Sequence, residues 1–136
     1  MTLLFAGSGA ILLLLGLAHL YITLATDRLH PRDADLKSRM QEVSPVLTRQ
    51  TTMWKTWVGF NISHSLGAIL FGLVYGYLAL FRSSVLVGSP FLLGLGAATL
   101  LVFLVLGKVY WFRTPFLGIA LASLLYLAGL VALAAG

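Results

Sequence analysis

The chain has 136 residues, 60% of them hydrophobic and 10% charged, with no cysteine and a net charge of +5. A soluble domain is nearer half apolar and about one quarter charged, and a core this small cannot hide the excess, so a bilayer is the solvent that suits it. The absence of cysteine excludes disulfides, thiol nucleophiles and thiolate metal sites, and basic residues clustered where cytoplasmic loops should lie argue against a nucleic-acid surface.

One membrane domain over residues 1–136 is expected. The first apolar run covers about 3–26 and would reach roughly 36 Å as a helix, enough for a hydrocarbon core of about 30 Å. Its first basic residue is Arg28, after the run, so an uncleaved helix with its N-terminus outside is expected rather than a signal peptide. Gly9, Leu12, Gly16, His19 and Thr23 recur at helical spacing and form a small, polar face.

Residues 27–52 form a hydrophilic cytoplasmic connector with all four acidic residues and five of the nine basic ones. Asp33 or Asp35 is placed to cap a short helix with Leu36, Met40 and Val43 on one face, and Pro45 to end it. Such a segment suits an amphipathic connector in the membrane interface, or a lid or partner-docking helix at the membrane surface.

The second long run covers 53–81. Trp54, Lys55 and Trp57 suit an interfacial anchor. Trp57, Asn61, His64, Ala68, Gly72 and Gly76 share one face, polar at its start and small beyond. The stripe of Ala68, Gly72 and Gly76 lets another backbone approach, within the chain or in a second copy. Residues 82–89 read as a short connection. Pro90 opens a third run over 90–112, slim around Gly94, Gly96, Ala97 and Ala98. Thr114-Pro115 reads as N-cap and first position of a fourth, uncharged run over 115–134.

Eight Lys and Arg flank the first and third connections, and only Arg82 marks the other side. The positive-inside rule puts those connections in the cytoplasm and both termini outside. Short connections favour antiparallel neighbours, so the expected fold is an all-α, up-down-up-down four-helix bundle in the membrane.

Chemistry centres on His19 and His64, which fall about 10 and 16 Å from the cytoplasmic ends of their helices at helical rise. Thr23, Asn61 and Ser63 lie within about a turn of them, and Lys108 lies nearer the cytoplasmic edge. Three uses compete. Each imidazole can simply bridge helices by hydrogen bonds. The group can relay protons or bind a small apolar or amphipathic ligand such as a quinone, since intramembrane ionisable residues carry a functional expectation. Two facing histidines can also ligate haem b, with Gly16 and Gly67 making room and Lys55, Lys108 or Arg113 meeting propionates. Zinc is poorly served by two histidines without a carboxylate in any apolar run. A Ser-His-Asp hydrolase lacks its acid there, and nothing requires an enzyme. The rival of another class is a structural or accessory subunit of a membrane complex or homo-oligomer, docked through the small-residue stripe.

The pieces Ala18-His19-Leu20-Tyr21-Ile22-Thr23, Gly59-Phe60-Asn61-Ile62-Ser63-His64-Ser65-Leu66-Gly67 and Tyr110-Trp111-Phe112-Arg113-Thr114-Pro115 resemble those of small four-helix bacterial membrane proteins. Size and layout are similar to the DoxX-like group. The resemblance implies a bacterial inner-membrane protein and supplies no activity or site residues.

Overall fold

The computed structural model describes residues 1–136 and is all-α. The helices are α1 (Thr2–Ala25), α2 (Ala34–Glu42), α3 (Met53–Phe81), α4 (Ser83–Val87), α5 (Pro90–Tyr110) and α6 (Arg113–Ala134). Four of them, α1, α3, α5 and α6, are long and apolar enough to cross a membrane. The protein is therefore a small multi-pass, helical membrane protein.

Local chemistry sets the helix starts. Asp33 caps α2, its carboxylate accepting from the amides of Asp35 and Leu36. Thr52 Oγ1 accepts from Lys55 N–H at 3.3 Å ahead of α3. Ser89 accepts from Leu92 N–H, and Pro90 takes the first position of α5, where no amide is missed.

Three boundaries differ from the sequence reading. The 82–89 connection holds the short helix α4, which buries Leu86 completely. An apolar anchor among turn residues gives the segment something to pack. The third run stops at Tyr110 rather than 112, and α6 starts at Arg113 with Phe112 as N-cap. Pro115 thus takes the third helical position instead of the first. It is tolerated there because the first turn's amides have no intrahelical acceptor in any case.

The chain divides into two compact units, one of Met1–Leu15 with Ala68–Gly136 and the other of Gly16–Gly67. The first contains the buried apolar core, including Phe5, Leu12, Phe71, Tyr75, Leu100 and Tyr126. Phe71 stacks on Tyr75 at 4.4 Å, and Phe5 meets Tyr126 edge-on at 4.9 Å. Buried hydroxyls need partners. Tyr75 donates to Leu92 O at 2.7 Å and Tyr126 to Leu93 O at 3.0 Å, both in the opening turn of α5. Gly96 makes this possible: a Cβ there would collide with Tyr126 Oη and come within 2.7 Å of Tyr75 Cε1.

In the same unit α1 and α3 approach almost backbone to backbone. A Cβ on Gly72 would lie 2.6 Å from Gly9 O, and one on Gly9 would lie 3.0 Å from Gly76 N. Gly72 and Ala68 are buried. The small-residue stripe is thus engaged within the chain at Gly72, whereas a Cβ on Gly76 would meet nothing within 4 Å.

In the second unit the connector is tied to the start of α3. Trp57 Nε1–H donates to Leu29 O at 3.2 Å, and Met53 N–H to Val43 O at 2.8 Å. Lys37 Nζ donates to His30 Nδ1 at 3.2 Å and lies 5.1 Å from the Trp54 ring centre, while His30 meets Trp54 edge-on at 4.9 Å. The helix α2 buries none of its residues, and Val46 and Leu47 stand fully exposed beyond it.

Candidate polar site

The second unit brings His19, Asn61 and His64 together. His19 Nε2 is 3.0 Å from Asn61 Oδ1. The His64 ring meets the His19 ring edge-to-face, with centres 5.2 Å apart and planes at 88°. All three side chains are half-buried. Asn61 and His64 stand three residues apart on α3, which places them on one face opposite His19 of α1.

Hydrogen-bond chemistry assigns the direction of the central contact. Asn61 Nδ2–H donates to Trp57 O at 2.8 Å, so its Oδ1 is the atom left to accept. His19 Nε2–H is then the donor. A neutral imidazole carries one N–H and one lone pair, so the lone pair of His19 sits on Nδ1. The amide therefore holds His19 in one tautomer and one orientation, with Nδ1 as the proton-accepting atom. Proton uptake at Nδ1 leaves the Asn61 bond intact, because both nitrogens of an imidazolium are donors.

The other sequence-derived site residues sit around this group or elsewhere. Thr23 Oγ1–H donates to His19 O at 2.8 Å, within α1. Ser63 is exposed and donates to Phe60 O at 3.0 Å, within α3. Both hydroxyls are satisfied by their own helix backbones, a common resting state for such residues in apolar helices. Ser65 is buried and donates to Asn61 O at 2.9 Å, so its hydroxyl too is satisfied within α3. Lys108 belongs to the first unit, its ammonium 5.6 Å from the Phe116 ring centre.

Two features escaped the sequence reading. One is the His30, Lys37 and Trp54 cluster, because capping and charge patterns over 27–52 do not place a histidine against a lysine and an indole. The other is the pair of buried tyrosines, whose spacing marks only an apolar face. Neither carries a motif; only the interfacial reading of Trp54 pointed toward the first.

The arrangement does not fit bis-histidine haem. A macrocycle between two axial imidazoles needs a ring nitrogen of each aimed at one iron from opposite sides. Here His19 Nε2 is engaged by Asn61, and the edge-to-face rings leave no flat slot between them. No group of three or more His, Cys, Asp or Glu side chains is placed to hold a metal ion.

No family model, no curated protein and no solved structure matches this chain.

Proposed function

We propose that this small multi-pass protein works through the His19, Asn61 and His64 cluster, which exchanges a proton along a relay or with the polar head of a small amphipathic ligand. The observation that carries the reading is the His19–Asn61 hydrogen bond with His64 set against the same ring. Asn61 orients His19 and leaves Nδ1 to take a proton. His64 supplies a second titratable group at contact distance. A neutral imidazole can both donate and accept a proton, and ionisable groups in apolar helices are costly to keep without a use.

The proposed setting is a bacterial inner membrane with both termini outside, supported by the Lys and Arg asymmetry of the connections. Kinship with small four-helix proteins of DoxX-like layout belongs to the same proposal. A role as an accessory subunit of a membrane complex is the second reading, favoured by the fully exposed Val46 and Leu47.

The test uses the protein in liposomes enclosing a pH-sensitive dye, with an external pH step, alongside extraction of co-purifying lipid-soluble molecules. His64→Leu and Asn61→Leu should abolish the proton response or the retained ligand while leaving helical content unchanged. Responses and retained molecules equal to those of the parent in both variants would discard the site.

A further inference from the structure

The turn between α5 and α6 is grooved. A groove of ≈ 290 Å³ opens there, lined by Lys108, Trp111, Arg113 and Phe116 among others. A second groove of ≈ 300 Å³ adjoins it, sharing Lys108 and Phe116 and continuing along Leu104, Val105 and Val109. One end is cationic and aromatic. The other is apolar apart from the lysine, whose alkyl stem suits such a boundary.

Two independent features ask for an anion at the cationic end. The unit that contains this turn holds three basic side chains, Arg82, Lys108 and Arg113, and no Asp or Glu at all, because all four acidic residues lie within 27–42. Its cations thus have no carboxylate side chain of their own unit to pair with. The helix α6 spans 22 residues and begins without a side-chain cap. Its first amides, those of Arg113 and Thr114, have no intrahelical acceptor and sit at the positive end of the helix dipole. Arginine is also the side chain whose planar fork matches phosphate oxygens. Lys108 closes the last turn of α5, so both cations come from adjoining helix ends.

We propose that the double groove seats one anionic phospholipid. Its phosphate lies between Lys108, Arg113 and the amides that open α6. One acyl chain follows Leu104, Val105 and Val109 along α5. Trp111 and Phe112 mark the depth at which aromatic side chains meet headgroups. The seat is separate from the histidine cluster and does not depend on the function proposed for it.

The experiment is native mass spectrometry of the detergent-purified chain with phosphatidylglycerol or phosphatidylcholine of matched acyl chains. The parent protein should retain phosphatidylglycerol in preference to phosphatidylcholine. Lys108→Gln with Arg113→Gln should weaken phosphatidylglycerol binding about thirty-fold, as two basic groups near a lipid surface imply. Val105→Trp fills the apolar groove and should weaken both lipids several-fold with the charges untouched. Arg82→Gln, in the same unit but outside the grooves, should change nothing. Equal phosphatidylglycerol retention in the parent and the double variant would overturn the proposal. So would an equal loss in Arg82→Gln, which would mean diffuse charge. Displacement of phosphatidylglycerol by millimolar inorganic phosphate would also overturn it, by making the site one for the free anion.

Discussion

Gly72→Ala should destabilise the protein although alanine is the better helix former. The added Cβ would lie 2.6 Å from Gly9 O, 2.6 Å from Leu13 Cβ and 2.7 Å from Leu13 N. An ordinary contact needs 3.4 Å or more, so α1 and α3 must part by close to an ångström. Two of the three obstacles are backbone atoms, which cannot rotate aside. Overpacking of this kind costs about 1–3 kcal/mol, and the gain in helix propensity returns about 1 kcal/mol. Because the obstacle is backbone, the cost belongs to the upper part of that range. A net loss of about 1–2 kcal/mol follows, a five- to thirty-fold fall in the folded-to-unfolded ratio. Gly67→Ala and Gly76→Ala provide the comparison, since a Cβ at either position meets nothing within 4 Å. Those two should be neutral or stabilising by up to about 1 kcal/mol. Reversible unfolding in mixed SDS and mild-detergent micelles, followed by circular dichroism, measures all three. If Gly72→Ala unfolds at the same SDS fraction as Gly76→Ala, the close approach of α1 and α3 is wrong.

Two further substitutions probe the rest of the structure. Ser8 Oγ is fully buried without a hydrogen-bond partner; an unpaired buried hydroxyl costs about 1–3 kcal/mol, so Ser8→Ala should leave stability unchanged or raise it in the same micelle assay, and a clear loss would mean that the hydroxyl is bonded. Trp57→Phe removes the indole N–H that reaches Leu29 O; hydrogen exchange should quicken over residues 27–31 with the α5 and α6 amides unaffected, and unchanged exchange there would show that the connector is held by other contacts.

The four long helices were legible in the sequence because their lengths match a hydrocarbon core and their few charges (Lys55, Lys108, Arg113) sit only at helix ends. The starts of α2 and α5 were likewise readable, the one from an aspartate at 33 or 35 placed to cap it and the other from Pro90 at its first position. The α6 start was misread because Thr114-Pro115 satisfies the same rule two residues too late, and first-turn positions differ little in what they cost a proline. For the polar site, helical spacing placed His19, Asn61 and His64 on inward faces. Spacing also drew in Thr23, and nearness to His64 drew in Ser63, because neither can tell a side chain that reaches across from one that bonds to its own backbone.

What the sequence alone determined is therefore the solvent, the number of long apolar helices and the faces that α1 and α3 turn inward. These depend on properties summed over many residues, and such sums survive small errors of rotation and depth. The tertiary structure alone decided which atoms meet: the Asn61 oxygen on His19 Nε2, the tyrosine hydroxyls on two successive α5 carbonyls, the backbones of both Gly72 and Gly76 beside Gly9 with room for a Cβ only at Gly76, and the joined grooves beside Lys108. Each rests on the axial offset and rotation of one helix against another to within an ångström or so. Side-chain packing sets those quantities, and no single helix's pattern contains them.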